Sequence, residues 1–368
     1  MEPIVTKITH EEPYLKFTLE NINVSLANAL RRTILSDIPI VVFRTIPHDK
    51  NLADIKVNTS RMNNEIIKQR LACIPIHIED TKFPIEDYII NITKQNNTDA
   101  IDYVTTKDFK IIDTKSNKEI AESEREKIFP PSNISGDYID LVRLRPAISS
   151  DIAGEQIEIT CKLDIGIAKE DGAYNVVSTC AYGATQDLIK VNDVWSQKVT
   201  EYKKKGLTNT EIDKEEANWR TLDAKRLIKA DSFDFTIESV GIFSNMNIVY
   251  KACHILINKF DILISQLEQD DDLIKSVENT MENCFDIILH NEDYTIGKAL
   301  EFVLYNKYYS KLLNFCAFNK AHPHDSFSII RIAFINSTDV TDVLTHTVSA
   351  CNAARDIFIK LAKDFQED

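Results

Sequence analysis

The sequence predicts an α+β fold of two similar strand–helix dimerisation units paired in cis, the first interrupted by a mostly β insert. Three observations predict it. A short helix pattern occurs twice, as Ser25-Leu26-Ala27-Asn28-Ala29-Leu30 and as Thr295-Ile296-Gly297-Lys298-Ala299-Leu300. Each copy follows a strand pattern and is later followed by a long amphipathic helix, Met246 to Leu267 and Asp339 to Phe365. From Thr45 to Ala173 the texture changes to short apolar runs between polar turns, which reads as strands.

Ile4 to Asn21 alternates loosely and reads as one or two strands. Val24 to Asp37 reads as a helix capped by Ser25, with Leu26, Leu30 and Ile34 on one face. Pro39 ends it, and the β-branched run Ile40 to Phe43 reads as a buried strand. In the insert, Ile74 to Ile78, Tyr88 to Thr93, Phe109 to Ile112 and Ile157 to Leu163 read as strands, and Pro130-Pro131 marks a loop. Thr185 to Lys229 is polar, carries Lys203-Lys204-Lys205, and reads as an exposed excursion with some helix around Asn209 to Ala230.

Phe233 to Ser239 reads as a strand. In Met246 to Leu267, the residues Val249, Ala252, Cys253, Leu256, Phe260, Leu263 and Leu267 form one broad apolar stripe. Asp270-Asp271-Asp272 opposes the helix dipole, so the helix should end there in a solvated linker. Beyond it, Cys284 to Leu289 reads as a strand, Thr295 to Tyr305 as a helix capped by Thr295, and Ser328 to Ile335 as a strand. The small residue in each copied helix, Ala27 or Gly297, is expected to let another helix come close.

The chain has 368 residues and a mass of 42.0 kDa, which suits two or three domains. Its formal net charge is −14, which gives no general attraction to phosphates. No apolar run approaches the roughly 20 residues of a membrane span, and Met1 to Glu12 has no apolar signal core. Seven Cys, an odd and scattered set, read as reduced thiols of an intracellular protein. There is no Walker-type loop or dinucleotide fingerprint, and no Cys sits in a nucleophile signature. Cys253, Cys284 and Cys351 lie in apolar patterns and read as core. Cys316, His322 and His324 have a spacing that a metal could use but lack a fourth clustered ligand.

The run Asn23-Val-Ser-Leu-Ala-Asn-Ala-Leu-Arg-Arg-Thr-Ile-Leu-Ser-Asp-Ile-Pro39 resembles the signature helix of the alpha-like RNA polymerase family. Its members are bacterial alpha, the archaeal D protein and the third subunit of eukaryotic RNA polymerase II. Asn58-Thr59-Ser60 through Gln69-Arg70-Leu71-Ala72-Cys73-Ile74-Pro75-Ile76 is similar to the family segment that ends in Arg-Leu-Gly-Leu-Ile-Pro. Gly166 to Glu170 sits where the third subunit closes its insert, and Glu238-Ser239-Val240-Gly241 precedes the long helix as in that family. The C-terminal part resembles the eleventh subunit and its counterpart, the archaeal L protein. Asn291-Glu292-Asp293-Tyr294-Thr295-Ile296-Gly297 is similar to its Glu-Asp-His-Thr-Leu-Gly motif, and Ala321-His322-Pro323-His324 to its His-Pro-Leu turn. Tyr294 and Lys298 depart from the family His and Asn.

The resemblance implies a fusion of third-like and eleventh-like subunits, an arrangement associated with large cytoplasmic DNA viruses, and hence a cytoplasmic location. It implies a third-like half of residues 1–44 and 174–270, an insert of 45–173 and an eleventh-like half of 273–368. It implies a non-catalytic assembly platform for the two large RNA polymerase subunits, with small accessory subunits as further partners and nucleic acid met only through the complex. Asn28, Arg31, Arg32 and Arg70 are then the subunit-interface candidates. Leu26, Leu30, Gly297, Leu300, Leu256, Phe260, Leu344 and Phe358 are the expected packing between halves. Many third subunits hold zinc on four clustered Cys, but this insert has only Cys73 and Cys161, so no zinc and no other cofactor is expected. An acidic alpha-like interaction protein outside a polymerase is the alternative.

Overall fold

The strand Tyr14–Glu20 and the helix Val24–Ser36 set the pattern on which this α+β fold is built. A computed structural model describes residues 2–149, 153–277 and 281–367. The chain divides into two compact units, one of residues 1–33, 179–238 and 245–368, the other of residues 34–178 and 239–244.

In the first unit, Ile4–Glu11, Tyr14–Glu20, Ile228–Ser239 and Val177–Gln186 form a four-stranded sheet in that order. A second four-stranded sheet has the order Ile274–Ser276, Cys284–His290, Phe327–Phe334, Leu313–Asn319. The sheets carry alternating apolar residues whose buried face is covered by helices. Phe17 stacks on Phe235 at 5.0 Å and meets Phe365 edge-on at 4.9 Å.

The sequence repeat is a backbone repeat. Asn21 and Asn291 each follow the strand, and each has φ +57°, a left-handed conformation Asn tolerates. Two residues on, Asn23 Oδ1 accepts the Ser25 N–H at 2.9 Å, and Asp293 Oδ1 accepts the Thr295 N–H at 2.8 Å. The caps are therefore Asn23 and Asp293, not Ser25 and Thr295, because an Asx side chain at the residue before the first turn reaches these free N–H groups. The second helix runs Tyr294–Tyr308.

The long helices Asn245–Gln269 and Val340–Lys363 pack on each other. Phe260 and Phe358 stack at 6.3 Å between them, and Arg355 donates to Asp261 at 2.7 Å. Leu256, Leu26, Leu30, Gly297 and Leu300 are also buried, while Leu344 is only half-buried. The small residue Gly297 admits an aromatic ring rather than a helix. A Cβ there would stand 2.0 Å from Phe318 Cε2, on the strand Leu313–Asn319. After Gln269 the chain forms a 3-10 turn at Asp271–Leu273 and then an edge strand rather than a solvated linker, because Leu273 and Ile274 are buried.

Residues 185–229 are more ordered than their polarity suggests. They form two helices, Leu188–Lys204 and Asn209–Thr221, around Val191, Trp195, Ile212, Trp219 and Ala224. Trp195 and Trp219 stack at 5.4 Å. The backbone bond from Asp187 N–H to Leu227 C=O, 2.9 Å, closes the base of the excursion.

The second unit is mostly β. Its five-stranded sheet has the order Ala53–Asn58, Gln156–Lys162, Tyr88–Gln95, Phe109–Asp113, Lys118–Glu119. Ile40–Val42 pairs with Asp164–Gly166, and Val41 and Phe43 join the core with Ile67, Phe109 and Phe129. That is why the unit begins before residue 45. Ile74 to Ile78 is not a strand. Ile74, Ile76 and Ile78 are buried in an irregular segment after the helix Asn64–Ala72, which Pro75 keeps out of regular pairing.

Candidate functional site

The helix Val24–Ser36 buries Leu26, Ala27, Leu30 and Ile34, and this turns Asn28, Arg31 and Arg32 toward partly open positions. Arg31 Nε and Nη2 donate to Asn28 Oδ1 at 3.3 and 3.2 Å, so these two residues present one polar patch. Arg32 is engaged within the chain. Its Nε donates to Thr295 Oγ1 at 2.9 Å and its Nη2 to Asp293 Oδ2 at 3.1 Å. The guanidinium fork of the first helix thus grips the capping turn of the second.

The neighbouring carboxylate of that turn, Glu292, lies 3.6 Å from Lys259 of the long helix Asn245–Gln269. Both side chains are about four-fifths buried, at 21% and 19% exposure, whereas Arg32 is 42% exposed. The open Arg32 pair is worth at most about 1 kcal/mol, so its contribution lies more in orientation than in stability.

Arg70 belongs to the second unit and not to the Asn28–Arg31 patch. From the helix Asn64–Ala72 its Nε donates to Leu141 C=O and its Nη2 to Asp140 C=O, both at 2.6 Å. It clamps the strand Asp140–Leu144 as well as lining a pocket of about 690 Å³. Ile46, Cys73, Ile74 and Ile139 give that pocket an apolar wall.

Five thiols lie in surroundings that suppress ionisation. Burial pushes the Cys161, Cys180, Cys316 and Cys351 thiols up to about 12, and Cys253 higher still. Cys73 is exposed. His322 Nδ1 accepts the His324 N–H at 3.2 Å in a surface turn, and among the described residues no group of three or more His, Cys, Asp or Glu side chains converges on a point. Cys316, His322 and His324 are therefore not brought together. Among the described residues no helix is long and apolar enough to cross a membrane.

Sequence reasoning reaches Arg31, Arg32 and Asn28 through the signature helix. It misses Lys259, Glu292 and Asp293 as a set of contacts. The signal is present: Glu292-Asp293 stands where the first copy has Ile22-Asn23, so the acidic pair is one of the charge differences between the copies.

Residues 16–260 match the family described as the RNA polymerase Rpb3/Rpb11 dimerisation domain. The chain is 25% identical to the Arabidopsis thaliana protein named DNA-directed RNA polymerases IV and V subunit 3B, over 74% of this chain and 90% of the relative. It is 24% identical to DNA-directed RNA polymerase subunit Rpo3 of Pyrococcus horikoshii, over 70% of this chain and 95% of the relative. It is 23% identical to DNA-directed RNA polymerase II subunit RPB3 of Schizosaccharomyces pombe, over 69% and 84%.

Proposed function

Since the chain belongs to the RNA polymerase Rpb3/Rpb11 dimerisation domain family, we propose that it is a non-catalytic assembly subunit of a DNA-dependent RNA polymerase, uniting a third-like and an eleventh-like half. The observation that carries this reading is the second strand–cap–helix copy. It lies beyond the family match at residues 16–260 and repeats the first copy down to the φ +57° Asn. The long helices Asn245–Gln269 and Val340–Lys363 pack on each other, which supports the reading that one chain supplies both members of a pair.

In this reading residues 1–44 and 174–270 are the third-like half and 273–368 the eleventh-like half. The insert is residues 45–173, a reading supported by a compact unit of residues 34–178 and 239–244. Joining the halves raises their mutual effective concentration to on the order of mM, so the platform forms without waiting for a second chain. The platform then receives the two large catalytic subunits, with the Asn28–Arg31 patch as one docking point. Small accessory subunits are further partners, and nucleic acid is met only through the complex. A head-to-tail fusion of this kind fits transcription in the cytoplasm by a large DNA virus.

A tagged full-length chain purified from its native source tests the reading. Recovery of one copy with one each of two large polymerase subunits is the expected stoichiometry by mass spectrometry. Recovery of the chain alone, or with unrelated partners, would sink the polymerase role and favour an alpha-like interaction protein of another kind.

A further inference from the structure

We infer that the acidic pair Glu292–Asp293, met by Lys259 and Arg32, is a key that fixes which half pairs with which. The inference rests on the reading that the two halves pair in cis, and not on the identity of any outside partner.

The argument starts from the repeat. In the common register Asp293 corresponds to Asn23, Glu292 to Ile22 and Arg32 to Phe302. Each half has therefore lost one side of the ion pair. The first half keeps the cation Arg32 and has the neutral Asn23 in its capping turn. The second keeps the carboxylates and has Phe302 in place of the cation. In the observed arrangement Arg32 meets Asp293 at 3.1 Å and Lys259 meets Glu292 at 3.6 Å.

Two first halves meeting from separate chains would set Arg32 against Asn23, with no carboxylate to receive it. They would also set Lys259 against the apolar Ile22, which is fully buried. Two second halves would set Asp293 against Phe302. Both like-with-like pairings take Arg32 and Asp293 away from each other, and the unlike pairing sets a carboxylate beside each cation. Specificity of this kind comes from the penalty on the wrong pairing as much as from the right contact. The problem it solves is real for this chain. Two halves with the same strand–cap–helix turn and similar apolar stripes are otherwise free to pair with themselves and to link chains into oligomers.

The test uses the full chain throughout. Arg32→Asp puts two acidic groups together, and Asp293→Arg puts two basic groups together. Each variant is refolded from urea alone, and the two are refolded as a mixture, at on the order of 0.1 mM, within tenfold of a short-linker effective concentration. Mass is read by light scattering after gel filtration. The mixture is expected to give a species of twice the 42.0 kDa of one chain, since each reversed charge finds its complement only on the other chain. The doubly reversed chain, Arg32→Asp with Asp293→Arg, is expected to refold alone as a single-chain species, with an unfolding midpoint above that of Asp293→Arg, with which it shares the loss of the Asp293 cap on the Thr295 N–H.

A mixture that stays at the mass of one chain, with Arg32→Asp at the parent's midpoint, overturns the inference. If the single variants do not refold, the doubly reversed chain decides: refolding supports the key, and a doubly reversed chain no more stable than Asp293→Arg overturns it. All readouts are made on the isolated chain. The key can thus fail while the polymerase purification succeeds, or the reverse.

Discussion

Gly297 lies under the ring of Phe318, with no room for a Cβ between helix and strand. Gly297→Ala sets two effects against each other. Alanine is favoured over glycine in a helix interior by about 1 kcal/mol, while overpacking a closed site costs roughly 1–3 kcal/mol. Phe318 is 8% exposed and its ring has little space to yield. A net loss of about 1–2 kcal/mol is expected in urea unfolding, and Phe318→Leu in the same chain should recover part of it. A more stable Gly297→Ala chain would show that the ring moves freely.

Arg70 is predicted to act on stability before it acts on any partner. Its two bonds to the carbonyls of Asp140 and Leu141 are internal. Arg70 is exposed, so water can replace the lost bonds, and Arg70→Ala should cost about 0.5–1.5 kcal/mol in the isolated chain. Arg70→Lys should recover little, since an ammonium cannot reproduce the fork. An unchanged urea midpoint for Arg70→Ala would return the residue to a purely external role.

The helical excursion is predicted to melt on its own. Trp195 and Trp219 dominate its small core, and the remaining apolar contacts are few. Loss of a buried Trp costs about 3–5 kcal/mol, more than so small a cluster is expected to withstand. Trp195→Ala should give new protease cuts between residues 188 and 221 while the unfolding midpoint of the rest is held. A global drop in midpoint would mean that the excursion supports the sheet.

Thiol reactivity should be dominated by one residue. Cys73 is exposed, and burial holds the thiols of Cys161, Cys180, Cys316 and Cys351 at about 12. At about pH 8 a disulfide reagent should react with Cys73 at once, with the half-buried Cys316 more slowly, and with Cys161, Cys180 and Cys351 only on unfolding. Fast loss of the Cys351 thiol in a peptide map would contradict the packing of the two long helices.

Stability should fall in mild acid because of His77. Burial pulls its pKa below the ordinary 6.5, outweighing the pull of Glu79 and the Gly241 backbone in the opposite direction. The unfolded chain then binds more protons than the folded one across that interval, so stability rises with pH there. The contribution is whole above the unfolded pKa and is lost as pH falls from 6.5 through the folded value. His77→Gln should flatten the urea midpoint between about pH 7 and 5. An equal slope in the variant would assign the effect to other groups.

The elements that sequence reasoning finds are those whose burial is periodic. Leu26, Leu30 and Ile34 repeat along one helix face, and Val249 to Leu267 along another, so burial and pattern agree. It errs where a single polar atom decides the local structure. Ser25 and Asn23 both suit a cap, and only the backbone after the φ +57° residue shows that Asn23 makes the bond. The order of the excursion escapes it because two tryptophans hold that segment while most of its surface is charged. Gly297 is legible as a site of close approach, but the approaching group comes from a strand beyond the helix, and no local pattern names it. The Arg32–Asp293 contact joins positions 261 residues apart in the chain and is written only in the difference between two copies.

The bond between Asp187 and Leu227 brings the two ends of the excursion together at the sheet, between neighbouring strands. What lies beyond that bond is a closed detour, and its length is uncoupled from the register of Val177–Gln186 and Ile228–Ser239. Sequence there can grow, shrink or be exchanged without moving a core residue of either sheet. The loop between its two helices, at Lys205 to Thr208, is accordingly the place to graft a fluorophore or an affinity peptide. A label there would follow the intact chain into an assembly while leaving the packed helices undisturbed.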